Sequence, residues 1–110
     1  MAPLTPAVMH VLLSLAGGER HGYAILKDVL HQTNHQVRLG PGTLYGTLQR
    51  LMESGLVEET DGPGGEADER RRFYRLSRAG RDALKAEVDR LDALVRHARG
   101  RGIAPRTSRA

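Results

Sequence analysis

The sequence has no cysteine, no tryptophan and only four aromatic residues among its 110 positions. Without cysteine the chain can form neither a disulfide nor a thiolate metal site. No apolar run approaches the roughly 20 residues that a membrane-spanning helix needs, and the first residues lack the basic stretch of a signal peptide. We therefore expect one small cytoplasmic domain that makes no contact with a membrane.

The patterns that carry catalysis are also missing. There is no Ser-His-Asp set, no paired-carboxylate arrangement and no phosphate-binding loop. His31 and His35 lie four residues apart, with Asp28 nearby, which is a spacing that can present metal ligands. Thr33 and Asn34 are expected to break the helix between the two histidines. We predict that the protein is not an enzyme and has no cofactor and no metal site.

Charge is distributed unevenly along the chain. Residues 1–60 carry four basic and five acidic side chains, residues 61–76 carry four of each, and residues 77–110 carry nine basic and four acidic. The net charge of +4 therefore comes from the C-terminal third. This favours an anionic partner, although a high isoelectric point alone is weak evidence for nucleic acid.

Residues 39–59 are the most informative segment, because their pattern predicts a helix with two different faces and then the start of a strand. An apolar face recurs at helical spacing and comprises Leu44, Leu48, Leu51 and Met52. A second face without negative charge comprises Thr43, Gly46, Thr47 and Arg50. Small hydroxyls, a glycine and an arginine can lie close to a polyanion. Ser54 and Gly55 end this helix, and a strand follows over 56–60.

The rest of the pattern predicts three more helices and a hairpin. Thr5 caps a first helix with a buried stripe at Val8, Val11, Leu12 and Leu15. A second helix runs from about Gly22 to Gln32, and the link at 37–39 is expected to add a small third strand. A glycine-rich acidic loop at 61–69 joins the strand at 56–60 to a second strand at 70–76.

The last helix begins after Ser77 and carries apolar residues at heptad spacing. These residues are Leu84, Val88, Leu91 and Val95, with Leu94 beside them. A helix with nothing obvious to cover in so small a domain favours dimerisation, and packing inside the same chain is the alternative. We divide the chain into a winged helix domain at 1–76, a dimerisation helix at 77–98 and a disordered arginine-rich tail at 99–110.

Three motifs in this order resemble the PadR family of bacterial transcriptional regulators. They are VLLSL at 11–15 with HGYAI at 21–25, LGPGTLYGTLQRL at 39–51, and DERRRFYRLSRAG at 68–80. The resemblance covers roughly residues 8–95. It implies a mainly α fold with a small β-hairpin, an α+β winged helix-turn-helix with a C-terminal dimerisation helix.

The resemblance further implies a homodimer that represses from a palindrome-like operator and is released by a small-molecule effector. In the compact branch of the family the last helix packs against the first helix of the partner. The dimer interface is therefore expected at Val8, Leu12, Leu84, Val88, Leu91, Leu94 and Val95. We expect double-stranded DNA to be contacted by Tyr23, Pro41, Gly42, Thr43, Tyr45, Gly46, Thr47, Gln49, Arg50, Arg70, Arg71 and Arg72.

Several of these assignments have open alternatives. Gln49 and Arg50 have the reach to read base edges, while the start of the helix faces phosphates. Tyr23 and Tyr45 either bind phosphate or only pack against neighbouring helices. The wing arginines either contact flanking phosphates or pair locally with the acidic residues beside them.

Two broader alternatives follow from the charge and the composition. The acidic loop leaves open a winged-helix protein-interaction module without sequence-specific DNA binding. With so few aromatic residues, any effector pocket is expected to be small and aliphatic, or absent.

Overall fold

A computed structural model describes residues 4–62 and 72–103 of the chain. The elements follow in the order α1 (Pro6–Ala16), β1 (Arg20–His21), α2 (Gly22–Gln32), α3 (Pro41–Glu53), β2 (Val57–Thr60), β3 (Phe73–Leu76) and α4 (Arg78–Gly100). The predicted α+β winged helix is thereby confirmed. The wing tip and the arginine-rich end of the tail lie outside the described residues.

The helices begin at hydrogen-bonding caps. The Thr5 hydroxyl accepts from the amide of Val8 at 3.3 Å, and the Ser77 hydroxyl accepts from the amide of Gly80 at 3.0 Å. Both caps were predicted from the sequence. At α2 the cap is His21, whose Nδ1 accepts from the amide of Ala24 at 3.1 Å. A side-chain acceptor here satisfies an amide that the first helical turn leaves unpaired.

The turns after α2 and α3 adopt left-handed backbone conformations. Asn34 and His35 have φ angles of 51° and 66°, and Gly55 has a φ of 78°. Asparagine and glycine tolerate this region, so both helices end where the sequence predicted.

Within the described ranges no group of three or more His, Cys, Asp or Glu side chains is arranged to hold a metal ion.

The sheet is antiparallel, with strand order β1-β3-β2. The strand that joins the β2–β3 hairpin is β1, in which Arg20 pairs with Tyr74 and His21 pairs with Phe73 of β3. The prediction that residues 37–39 supply this strand was wrong. The amide of Val37 instead donates to the Thr33 hydroxyl at 3.1 Å, so the segment is tied to the end of α2.

One apolar core joins all four helices to the sheet. Its buried members are Met9, Val11, Leu12, Leu15, Ile25, Val29, Leu44, Leu48, Leu51, Val57, Tyr74 and Leu84. The predicted apolar faces of α1 and α3 both contribute to it, and α2 adds Ile25 and Val29. Leu12 is 0 % exposed and Leu84 is 6 % exposed. Predicting these two residues at a dimer interface was therefore wrong, because their side chains already fill the interior of the protomer.

The first half of α4 is fixed to the rest of the domain by a buried carboxylate. Glu87 accepts from the amide of Leu4 at 3.1 Å and from Arg90 Nε and Nη2 at 2.7 and 2.8 Å. The hydrogen bonds from Arg90 are the main reason that the pKa of Glu87 lies below its ordinary value. The second half of α4 continues to Gly100, two residues past the predicted end. No helix in the described residues is long and apolar enough to cross a membrane.

Candidate nucleic-acid interface

Helix α3 presents one exposed face along its length. Most of its predicted DNA-contacting residues are exposed: Pro41, Gly42, Thr43, Tyr45, Gln49 and Arg50. Pro41 is the first helical residue, and Gly40 caps the helix without a side-chain hydrogen bond. The first amides of α3 therefore have no side-chain cap, which is the arrangement that favours an anion at a helix N-terminus.

Thr47 departs from the prediction, because it is only 3 % exposed. It lies three residues after Leu44 and four before Leu51, both buried, so helical geometry turns it toward the core. Its assignment as a DNA contact was wrong. A threonine reads as polar in the sequence, yet its methyl group allows it to sit at the edge of an apolar stripe.

The buried Thr47 nevertheless touches the exposed face through Arg50. Its hydroxyl accepts from Arg50 Nη2 at 3.4 Å. A Cβ added at Gly46 would lie 3.7 Å from Arg50 Nη1, so the arginine side chain lies back across this glycine. A methyl group at position 46 would be in ordinary van der Waals contact with the guanidinium, so this arrangement does not require a glycine.

Tyr45 connects α3 to the start of α2. Its ring lies against Gly22, where a Cβ would overlap the phenol, while 47 % of the tyrosine remains exposed. The packing alternative is therefore realised, and the exposed part leaves phosphate binding as a proposal. Tyr23, the next residue of α2, is 63 % exposed.

Two exposed cations that the sequence did not single out lie near Tyr23. Lys27 Nζ is 5.3 Å from the centroid of the Tyr23 ring. Lys27, Arg38 and Tyr23 line the same surface cleft, together with Leu26, Leu30 and Leu39. The sequence does contain one indication that these residues bind an anion. Only four basic residues occur in the first 60 positions, and two of them are Lys27 and Arg38.

In the wing, the described arginines are paired with acids on the adjacent strand. Arg72 Nη1 lies 3.4 Å from Glu59, and Arg75 Nε lies 3.3 Å from Glu58. All four side chains are largely exposed, so each pair contributes only about 0–1 kcal/mol. For Arg72 this is the local pairing that the sequence left open. Arg70 and Arg71, the other predicted wing contacts, lie outside the described residues.

Tyr74 of β3 is part of the apolar core and not of the candidate DNA-binding surface. Burial, and then the charge of Glu59, raise the pKa of its phenol. The side chain is 3 % exposed, which leaves little of it for a ligand to reach.

An exposed helix directly followed by a two-stranded wing defines a winged helix-turn-helix DNA-binding domain. The sequence profile of the transcriptional regulator PadR-like family matches residues 11–86. The chain belongs to this family. Its function is accordingly that of a DNA-binding transcriptional regulator, and the family is one of regulators rather than enzymes.

The chain is also similar to individual proteins, of which one is named a transcriptional regulator. The chain is 39 % identical over 93 residues to the transcriptional regulator Rv3488 of Mycobacterium tuberculosis, covering 84 % of this chain and 81 % of that protein. It is 43 % identical over 82 residues to an uncharacterised 37.1 kDa protein in transposon TN4556 of Streptomyces fradiae. That match covers 74 % of this chain but spans only 22 % of the Streptomyces protein.

A solved structure shares the fold. RosR from H. salinarum superimposes with a TM-score of 0.66 and 30 % sequence identity, covering 86 % of this chain and 76 % of RosR.

Proposed function

We propose that this protein is a homodimeric repressor that binds a palindrome-like operator through α3 and is released by a small effector. The observation that carries the proposal is the exposed face of α3, on which Gln49 and Arg50 lie about two turns beyond a helix start that has no side-chain cap.

In the proposed complex α3 lies in the major groove, which is wide enough for one helix. Arg50 and Gln49 have the length to reach base edges, where arginine pairs with guanine and glutamine with adenine. The start of α3 at Pro41, Gly42 and Thr43 faces the phosphates, as helix N-termini commonly do. Gly46 reads no base, and the Arg50 guanidinium lies close to it.

Dimerisation through α4 would duplicate this face. Val88 and Leu94 are 42 % and 55 % exposed, and Leu91 and Val95 continue the same apolar strip. Val8 on α1 is only partly buried and can meet the partner's helix. Apolar residues at heptad spacing suit helix-to-helix packing. A two-fold dimer can then hold two α3 helices one DNA turn apart, about 34–36 Å.

Release by an effector rests on the family resemblance alone. No aromatic residue occurs in α4, so a dimer interface built from it has no aromatic surface to sandwich a flat molecule. The effector is therefore proposed to be small and aliphatic. A screen of planar aromatic dyes should find no tight ligand at this interface, and tight binding of such a dye would contradict this part of the proposal.

The proposal is tested by fluorescence anisotropy titrations at physiological salt. One duplex carries the promoter region of the protein's own gene, and a second, of equal length, has a random sequence. We expect binding to the promoter that is at least about a thousandfold tighter, as for specific DNA-binding proteins. Equal affinity for the two duplexes would contradict the proposal and favour the protein-interaction module instead. In vitro transcription from the same promoter should decrease when the protein is added, and an increase would exclude a repressor.

A further inference from the structure

The surface beside α3 carries two exposed cations, Lys27 and Arg38, that have no acidic partner within the described residues. Lys27 and Arg38 are exposed and line one cleft of about 400 Å³ with Tyr23. Neither cation forms an ion pair within the described residues. Asp28, the sequence neighbour of Lys27, lines a different cleft next to α1. The charges of Lys27 and Arg38 are therefore available to an external anion.

The position of this cleft relates it to α3. Arg38 lies two residues before Gly40, the N-cap of α3. Tyr23 follows Gly22, which is in contact with Tyr45 on α3. The two cations and the Tyr23 phenol thus flank the start of the helix that is proposed to enter the groove. In helix-turn-helix proteins the helix before the reading helix crosses the DNA backbone.

The small number of basic residues in the first 60 positions also favours Lys27 and Arg38 as the ones that face the DNA backbone. Only Arg20, Lys27, Arg38 and Arg50 are basic there. Arg20 Nε donates to the carbonyl of Ser14 at 2.9 Å, so this arginine has a structural partner. Arg50 lies on α3 itself. Lys27 and Arg38 are the two that remain.

The described part of the wing has no arginine that is free of an acidic neighbour. Both of its described arginines are already paired, Arg72 with Glu59 and Arg75 with Glu58. A phosphate that approached either arginine would also approach a carboxylate. The cleft of α2 has no acidic residue among its lining side chains.

We infer that Lys27 and Arg38, together with the Tyr23 hydroxyl, form a phosphate-binding strip that contacts the DNA backbone beside α3. The inference rests on the proposed function, because it presumes that α3 faces DNA. Its ligand is the phosphodiester backbone, and the strip contributes affinity without reading sequence. Each cation that neutralises a phosphate releases counterions, so the strip also sets part of the salt dependence of binding.

The test is the salt dependence of DNA affinity for Lys27→Gln, Arg38→Gln and the double variant. Each lost phosphate contact reduces the slope of log K against log [salt] by about 0.9. Because the proposed homodimer carries each residue twice, each single variant removes two contacts and lowers the slope by about 1.8. Between about 50 mM and about 200 mM salt, the affinity of each single variant should therefore fall roughly 12-fold less than that of the wild type, and the affinity of the double variant roughly 150-fold less. At any one salt concentration, each variant should bind more weakly than the wild type, and by the same factor on the promoter duplex and on the random duplex.

The matched control is Lys85→Gln, which removes an exposed lysine from α4 and should leave the slope unchanged. Arg72→Gln should change the slope less than Arg38→Gln does. Unchanged slopes for Lys27→Gln and Arg38→Gln, with thermal stability like that of the wild type, would overturn the inference.

The slope is measured on both duplexes, which separates this inference from the proposed function. If the wild type prefers its promoter but the slopes do not change, only the strip is wrong. If the wild type shows no preference but the slopes do change on random DNA, the strip stands and sequence-specific reading fails.

Discussion

Gly22, the first residue of α2, is in direct contact with the phenol ring of Tyr45 on α3. A Cβ at position 22 would lie 2.7 Å from Tyr45 Cζ, which is closer than such atoms approach in proteins. This contact sets how closely the start of α2 approaches the middle of α3. Any side chain at position 22 would therefore require the Tyr45 ring to move.

The first prediction is that Gly22→Ala destabilises the protein only while Tyr45 is present. The added methyl group should displace the ring and cost about 1–3 kcal/mol, the range for overpacking. In a Tyr45→Ala background the space is open, and Gly22→Ala should be neutral or stabilising by up to about 1 kcal/mol. Urea unfolding of the four proteins gives the coupling energy. Purely additive effects would show that the contact does not constrain the two helices.

The second prediction concerns two glycines of the same helix. A Cβ at Gly80 would overlap the backbone carbonyl of Leu56, lying 2.9 Å from its carbon, whereas a Cβ at Gly100 meets nothing within 4 Å. Backbone moves less easily than a side chain, so Gly80→Ala should cost about 3 kcal/mol or more. Gly100→Ala, the matched control, should be neutral or slightly stabilising. Thermal denaturation of both variants measures the difference, and similar melting temperatures would contradict the close packing of α4 on the start of the wing.

The third prediction is a pH dependence from Glu87. Its pKa lies below the ordinary value of 4.5, mainly because Arg90 donates to it and also because the amide of Leu4 does. The carboxylate therefore stabilises the fold above pH 4.5, and this contribution is lost as the pH falls through the lowered folded-state pKa. Glu87→Gln should be less stable than the wild type at neutral pH, and the difference should shrink on acidification below pH 4.5.

Chemical unfolding across the acidic range measures this difference. Asp89→Asn removes a neighbouring exposed carboxylate of α4 and serves as the control, with little effect at neutral pH. A wild-type advantage over Glu87→Gln that stayed constant down to strongly acidic pH would show that the ion pair does not act through its charge.

The fourth prediction tests dimerisation through the exposed strip of α4. Leu94→Glu places a charge where the proposed interface is apolar and should weaken the dimer about tenfold or more. Ala93→Glu adds the same charge to an exposed position on the opposite side of the helix from Leu91 and Val95, and it should leave the dimer intact. Analytical ultracentrifugation over a concentration series distinguishes the two. Equal effects of the two variants, or a monomeric wild type, would exclude this interface.

Much of the fold could be predicted because its signals are local. The caps at Thr5 and Ser77, the glycine after α3 and the apolar periodicity of α1 and α3 each act within one or two turns of helix. The third strand could not be found in this way. Its two residues, Arg20 and His21, show no alternation, and their strand character comes only from pairing with Tyr74 and Phe73.

The site was predicted less completely than the fold. Spacing placed Arg50 on the exposed face of α3, but polarity misplaced Thr47, whose position between Leu44 and Leu51 turns it inward. Periodicity likewise could not tell that Leu84 packs within the protomer while Leu94 does not. Lys27 and Arg38 were missed because they come together only when the link before α3 folds back beside α2.

The central claim is that α3 reads base sequence through Arg50, and one comparison tests it most directly. The affinities of the wild type and Arg50→Ala for the promoter and random duplexes are measured at one salt concentration, with Arg96→Ala on the exposed side of α4 as the control. We predict that Arg50→Ala reduces the preference for the promoter by about 1–3 kcal/mol and that Arg96→Ala leaves it unchanged. A folded Arg50→Ala variant with the full wild-type preference would contradict the account.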